Sequence, residues 1–570
     1  MRTILKIALF AFSNFGYWEY FREKHKINIY FAPVYTIAVQ FAALFAAGIL
    51  NGLEEMAFVL YGLGLLLCAR SLYQTRLRCL LQYCDWGYVY FAGACALAAV
   101  LVYGACFGHI DNFTHWATVV RSMLYTHRFP NFNDIAVTFT TYPLGTAAYI
   151  YYFCRLTNDA EWFQMLAQGY MIVCTILPVF TYARKNKWLN AVLLGAMTLF
   201  LLQYNVLLTD LRVDTVMPLA GMAAIVFAYS YCASTRGGHS AWYVFPMLLW
   251  VMNIKHAALL YVVIAMLLLF PTVKKSEHGR NQWLLLGGGL LLAKKIWSLH
   301  CDYVYYTEDA GMHNMSVDWF RYVLGGKTPE DIQRMIRAFV SYVITERNYF
   351  WLAAWFVLLI VLVLWLAGEN RKKYWTLLVG AAALYVVYTA GVLGMYVFSM
   401  PWWEGLSGAE RYMRSGDAAV YYIFAVCTVM LLPGSQSGKR SAAAAVTVIL
   451  LTLSGWHMQR IREPEYCSEE ARQMIEQPIE EHGFALGKSY LLCISEDMQK
   501  SWGDHCRYIW RYNLLTDAVD QIVVTDAAQL ETEKNYDYVV ILDRDNPVIH
   551  QWIQENYPDC EEEMLIQHFV

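Results

Sequence analysis

Charge is what this 570-residue chain has least of. Only 16% of its residues are Asp, Glu, Lys or Arg, against about 25% in ordinary soluble domains. Lys and Arg (43) do not outnumber Asp and Glu (46), so the basic surplus that would favour nucleic acid as a partner is missing. The 14 cysteines are scattered, with no CxxC pair and no Cys/His spacing that would build a zinc site, and most read as small apolar side chains. No glycine-rich phosphate loop follows a strand in the charged C-terminal part, which argues against a nucleotide site there. What is present is 58% hydrophobic and 16% aromatic. That is the composition of a polytopic membrane protein, whose first partner is the lipid bilayer.

A spanning helix needs ~20 mostly apolar residues, and short basic turns stay on the cytoplasmic side. On those rules spans are expected at about 27–50, 56–73, 86–107, 162–183, 188–208, 215–235, 282–299, 349–367, 374–398, 418–433 and 441–457. Residues 1–21 read either as an interfacial helix or as a poor first span. Residues 143–156 read as a short helix begun by Pro143, because proline is tolerated in a first turn. The run 241–272 is broken by Asn253-Ile-Lys255-His256 with basic residues on both flanks, and is read as a helical hairpin turning at Lys255. The fold class is therefore mainly α, with about 11 to 13 transmembrane helices over residues 1–458. A small extracytoplasmic α/β lobe is expected over 459–570, with strands at Ser489–Ile494, Gln521–Val524 and Asp537–Leu542. Cys467, Cys493, Cys506 and Cys560 could pair there in an oxidising compartment.

The basic turns place three polar segments on the outer face: 108–142, 300–348 and 399–417. The first carries Asp111, His115 and Asp134 and ends at Tyr142. The second carries Glu308, Asp309 and His313, then an amphipathic stretch from Pro329 to Tyr349. The third carries Trp402, Trp403, Glu410 and Arg411. Asp210 and Asp214, four residues apart, fall in another outer turn and read either as acceptor or metal ligands or as solvated helix-end charges. A lysine at bilayer depth costs ~2.5 to 3.5 kcal/mol, so Lys255, next to His256, lines a polar cavity or meets an anion unless it snorkels from a helix end.

The residues Ile110-Asp111-Asn-Phe-Thr-His115-Trp116, Arg128-Phe-Pro130, Tyr142-Pro143-Leu-Gly145, Asn253-Ile-Lys255 and Glu410-Arg411-Tyr412 together resemble the GT-C superfamily of integral membrane glycosyltransferases. The closest likeness is to bacterial members similar to the protein O-mannosyltransferase and aminoarabinose-transferase group. The resemblance covers roughly residues 86–458 and implies a polyprenyl-phosphate sugar donor, an envelope glycan, glycolipid or protein acceptor, and a place in the bacterial cytoplasmic membrane. It also implies an acidic pair in the first outer loop. Here Asn112 follows Asp111, so Asp134 is the acid that would complete such a pair and, with it, a divalent Mg or Mn site.

The chemistry can be stated beside the resemblance. A phosphate leaves as a stable anion, so transfer needs one carboxylate to take the acceptor's proton, whereas a hydrolase needs two. Asp111 fits that base, its alternative being a helix cap. Lys255 and Arg411 fit a phosphate clamp. His115, Asp134, Tyr142, Asp210, Asp214, His256 and Glu410 are further substrate or metal candidates, with Glu410 alternatively pairing with Arg411. The competing functions are a transporter or flippase of lipid-linked saccharides, which needs the cations but no base, and a non-catalytic partner of an envelope polymerase.

Overall fold

The computed structural model describes residues 2–556 apart from 184–186, 205–207, 235–240, 274–278, 306–316, 402–403, 432–443, 450–451, 453–468, 485, 487, 526–535 and 543–545. Glu308, Asp309, His313, Trp402, Trp403, Cys467, Cys560 and most of the span expected at 441–457 lie outside the described residues. The chain is mainly helical. In order the α-helices are α1 (Arg2–His25), α2 (Ala32–Ile49), α3 (Leu53–Thr75), α4 (Trp86–Val102), α5 (Ala117–Thr126), α6 (Ala147–Leu156), α7 (Glu161–Ile176) and α8 (Lys187–Tyr204). Then come α9 (Val216–Ser234), α10 (Phe245–Met252), α11 (Leu259–Val273), α12 (Gly279–Tyr305), α13 (Val317–Gly325), α14 (Pro329–Ser341), α15 (Phe350–Leu366), α16 (Arg371–Phe398) and α17 (Ala409–Leu431). The tail adds α18 (Glu469–His482), β1 (Tyr490–Ile494), α19 (Glu496–Trp502), α20 (His505–Leu514), β2 (Val519–Val523), β3 (Tyr538–Ile541) and α21 (Pro547–Asn556).

The chain divides into two compact units. The first comprises Met1–Tyr103, Thr141–Leu208 and Val213–Arg462; the second comprises Gly104–Thr140, Thr209–Arg212 and Glu463–Val570. The first polar segment, grouped by the sequence reading with residues 1–458, thus folds with the tail.

Among the described residues of the first unit, four helices are long and apolar enough to cross a membrane, or five if the bent pair Pro329–Glu346 and Phe350–Leu366 is one span. Helices α3 and α16 bury only 28% of their apolar windows inside the protein. Val59, Leu63 and Leu66 on α3, and Val379, Val386 and Val387 on α16, are exposed. Apolar faces of that extent are stable only against an apolar solvent, which is the physical reason to read this unit as membrane-embedded. The N-terminal residues form one helix, α1, laid against α3 so closely that a Cβ on Gly16 would come within 2.1 Å of the Gly64 carbonyl oxygen.

Several expected boundaries move. The helix after the first polar segment starts at Ala147, not at Pro143, because Gly145 is held by another segment (below). The expected loop 399–417 is half helix: α17 starts at Ala409 and carries Glu410, Arg411 and Asp417 in its first turns. The helix expected at 282–299 forms as α12, but with Lys294 and Lys295 in its middle it is not among the helices apolar enough to cross. The amphipathic stretch forms α14, started by a capping box between Thr328 and Asp331, with Met335 and Phe339 buried. Lys327, just before it, donates to the carbonyls of Tyr396, Val397 and Met400 at 2.8, 2.9 and 2.6 Å and so caps α16.

In the second unit the three strands form a parallel sheet in the order β2-β1-β3, with Tyr490 opposite both Val519 and Tyr538. The central strand, Tyr-Leu-Leu-Cys-Ile, is buried throughout, as a parallel strand covered on both faces requires. The first polar segment is stapled to this sheet's helices. Arg121 donates to the Asn513 carbonyl at 3.1 Å, Arg472 to that of Phe107 at 3.2 Å, and Arg511 to that of Ile135 at 3.3 Å. Phe113 packs on Tyr512 with ring centroids 5.6 Å apart.

Asp537 ties the start of β3 to Ser489, accepting from its backbone N–H at 2.9 Å and its hydroxyl at 2.8 Å. These bonds hold the carboxyl down at about 2, below the ordinary value of ~3.9. A folded-state value below the unfolded one contributes stability that is complete above about pH 4 and lost as pH falls through about 2. Hydrogen exchange at residues 489–494 is therefore expected to quicken over that window, and Asp537→Asn to remove the dependence.

Candidate functional site

In the first unit the break between α10 and α11 is real, and Lys255 adopts an extended conformation within it (φ −159°, ψ 152°). The Lys255 ammonium lies 2.7 Å from Asp214 Oδ1. Arg411, from the first turn of α17, reaches the other oxygen of the same carboxylate, with Nε 3.5 Å from Oδ2. Both cations sit over the ring of Tyr412, at 5.0 and 5.1 Å from its centroid. Ser415 donates to the Asp214 backbone carbonyl at 2.7 Å, which fixes the start of α9 against α17. Lys255 and Asp214 are nearly buried, and Arg411 is 29% exposed by side chain. Two cations thus meet one carboxylate, and the Lys255 ammonium, with three donors, gives one of them to Asp214.

The break itself is positioned by the segment before α6. The Gly145 N–H donates to the Asn253 carbonyl at 2.6 Å, and Trp250 Nε1 donates to the Gly145 carbonyl at 3.1 Å. Two of the motifs singled out in the sequence, Tyr-Pro-Leu-Gly and Asn-Ile-Lys, are thus in contact. The Tyr142 ring meets the His256 ring edge-on at 5.9 Å, and His256 Nδ1 lies 2.8 Å from the ammonium of Lys294. Glu410 does not pair with Arg411. It turns outward to Arg414, one helical turn on, and stays exposed.

Asp111 belongs to the second unit. It precedes a π-helical turn, Asn112–Trp116, and makes no capping bond to it, so the capping alternative is not met. The Thr118 hydroxyl, donating back to the Phe113 carbonyl at 2.5 Å, accompanies that wide turn. Asp111 stays 31% exposed by side chain, with His109 Nδ1 3.8 Å from its Oδ1. His109 Nε2 lies 2.9 Å from Arg212 Nη1, and Arg212 is paired with the buried Asp210. The backbone N–H of Asp111 donates to His109 Nδ1 at 3.0 Å, so the imidazole stands between the Asp111 backbone and the Arg212 guanidinium, with a donor facing each ring nitrogen. Burial, the largest influence, pushes the Asp210 carboxyl up; the Arg212 guanidinium opposes it and the nearby Asp111 charge adds to it. Asn112 Oδ1 accepts from the Leu211 N–H at 3.0 Å, which fixes this second segment on the first.

The remaining candidates separate. Asp210 and Asp214 do not share a helical face: the chain between them is not helical, and each is buried with its own cation, so the solvated helix-end reading is also wrong for them. Asp134 takes the Ser122 hydroxyl at 2.6 Å, Arg128 at 2.6 Å and the Asn131 N–H at 2.8 Å, the pattern of a loop staple. His115 is buried against Trp116 and Phe139, at 4.8 and 5.1 Å between centroids. Among the described residues no group of three or more His, Cys, Asp or Glu is arranged to hold a metal.

Sequence reasoning missed Asp214 as the carboxylate between Lys255 and Arg411, and it missed His109, Arg212 and Lys294. Lys294 did carry a signal, a lysine pair inside an otherwise apolar run. No protein-family model matches the chain, and no curated protein or solved structure is similar enough to count as a match.

Proposed function

We propose that this protein is an inverting membrane glycosyltransferase of GT-C type, which moves a sugar from a polyprenyl phosphate to a cell-envelope glycan, glycolipid or protein. On this reading it has about 11 to 13 spans and sits in the bacterial cytoplasmic membrane with its polar loops and C-terminal lobe outside. The observation that supports it is the meeting of Lys255 and Arg411, from distant segments, on one carboxylate and one aromatic ring. Two cations held beside an apolar body form a binding place for an anionic headgroup whose tail stays in lipid. The lipid phosphate takes donors from Lys255 and Arg411 in competition with Asp214. The same cations stabilise the charge that grows on the phosphate oxygen as the anomeric carbon–oxygen bond breaks.

Asp111 is assigned the base on its chemistry: a partly exposed carboxylate, released from capping, with the imidazole of His109 beside it. It takes the acceptor hydroxyl's proton as that oxygen bonds to the anomeric carbon. A positioned base contributes ~10² to 10⁴-fold. A divalent Mg or Mn ion is a separate part of the proposal; Asp134, the acid that would pair with Asp111 for it, is held by Ser122, Arg128 and the Asn131 N–H.

The test is mass spectrometry of envelope glycans and lipid-linked sugars in a strain lacking the gene, complemented with wild-type or Asp111→Asn protein. The asparagine variant is expected to leave the glycan unmodified and the lipid-linked sugar accumulated. Full rescue by it would favour a flippase, which needs no base. Rescue by Lys255→Met as well would leave only the non-catalytic partner role.

A further inference from the structure

We infer that Lys294 and His256 form a second anion subsite within the first unit, one that takes a phosphate group. Lys294 is set by packing: its neighbours on the buried face of α12 are Leu290, Ala293, Trp297 and Cys301, and Trp297 Nε1 donates to the Thr141 carbonyl at 3.1 Å. Lys294 itself is half-buried beside that face. It points to His256 Nδ1 at 2.8 Å, and because an ammonium only donates, that nitrogen accepts and the ring is neutral with its proton on Nε2. Among the described residues Lys294 makes no ion pair with a carboxylate; its polar partner is His256. A half-buried ammonium with no carboxylate beside it among the described residues is costly between apolar helices, and such groups mark ligand or ion pathways.

The geometry of the break adds the second half of the argument. Lys255 is extended, and consecutive side chains of an extended chain point to opposite sides. The Lys255 amine goes to Asp214 while the next side chain, His256, goes to Lys294. One helix break thus presents a cationic group on each side, of which, among the described residues, only the first meets an acid. An ammonium backed by a neutral imidazole donor suits a phosphate oxyanion: Lys294 supplies the charge and His256, by ring rotation, a second N–H. The ligand is either the phosphate headgroup of a lipid or free phosphate.

The experiment is equilibrium binding of labelled farnesyl phosphate to the full chain in detergent, for wild type, Lys294→Met and Lys294→Arg, with inorganic phosphate as competitor. Lys294→Met is expected to lower affinity at least tenfold, and Lys294→Arg to keep most of it. The ligand-free melting temperature of Lys294→Met should be unchanged or higher, since a half-buried charge has gone. Displacement of farnesyl phosphate only by millimolar inorganic phosphate assigns the subsite to a lipid headgroup; displacement at equal concentrations assigns it to free phosphate. A Lys294→Met protein with unchanged affinity overturns the subsite, and a lowered melting temperature with that result makes Lys294 a structural donor to His256. Lys255→Met, measured in parallel, tests the clamp separately, so a failure there counts against the transferase reading and not against this subsite.

Discussion

Asp214→Asn is expected to destabilise the ligand-free protein and, at the same time, to tighten its hold on phosphate. Asp214 is nearly buried, 2.7 Å from the Lys255 ammonium and 3.5 Å from the Arg411 guanidinium. Removing one partner from a buried pair costs about 3 to 5 kcal/mol, because a charge is left buried without compensation. Arg411 keeps 29% of its side chain exposed, so solvent screens part of this and the lower end is expected. Asparagine has nearly the same shape, so the Ser415 bond to the residue 214 carbonyl should survive and the loss should be electrostatic. With the competing carboxylate gone, both cations turn to an added anion. Thermal unfolding in detergent with increasing farnesyl phosphate should therefore begin lower for Asp214→Asn and rise more steeply than for wild type. Binding to the folded state alone raises stability by RT ln(1 + [L]/Kd), so a steeper rise reports tighter binding. If the variant melts lower and the anion does not restore it, the triad is a structural ion cluster and the clamp reading fails. If it melts as wild type does, the carboxylate is not the partner of these cations at all.

What the sequence made legible is what short-range physics writes into it. Apolar runs of spanning length appear as α2, α3 and α16, and the polar interruption at Asn253–His256 appears as a helix break, because both depend on local solvation and backbone geometry. The apolar segments around Leu492, Ile522 and Val540 were visible as β1 to β3 for the same reason. The pairing of side chains from distant segments was not visible. Lys255 and Arg411 were singled out by residue type, yet nothing local says that Asp214 stands between them or that Glu410 turns to Arg414. Asp210 and Asp214 look like a helical pair in the sequence, but Asp210 is held by Arg212 and Asp214 by Lys255. Hydropathy likewise passed α12 as a span, whereas Lys294 is kept there by a histidine that packing brings to it. The same limit explains why residues 104–140 fold with a tail more than three hundred residues later: arginine-to-carbonyl bonds such as Arg472 to Phe107 leave no periodic signature.

Gly145→Ala is expected to damage both stability and phosphate binding, although it adds a single methyl group and touches no charge. A Cβ at this position would lie 2.4 Å from the Asn253 carbonyl oxygen, 2.5 Å from its carbonyl carbon and 2.7 Å from the Ile254 nitrogen. All three are backbone atoms, so no rotamer change relieves the contact. The segment before α6 has to lift off the helix break, losing the 2.6 Å bond from Gly145 to Asn253 and the 3.1 Å bond from Trp250. Overpacking of this kind costs about 1 to 3 kcal/mol, and each lost bond about 1 more, so a loss of roughly 3 to 5 kcal/mol follows. Because Lys255 and His256 stand two and three residues beyond Asn253, moving the break also moves Lys255 away from Asp214 and His256 away from Lys294. A shift of about 1 Å at a bound phosphate is worth ~10²-fold where geometry matters. Gly380→Ala is the control: its Cβ would meet nothing within 4 Å, and a helical Gly→Ala change is expected to leave stability equal or slightly raised. A Gly145→Ala protein that melts and binds farnesyl phosphate as the Gly380→Ala control does would show that the Gly145–Asn253 contact does not position the clamp. A fall in affinity larger than the fall in stability accounts for would place the organising contact of the site at this glycine, outside every charged residue that the site contains.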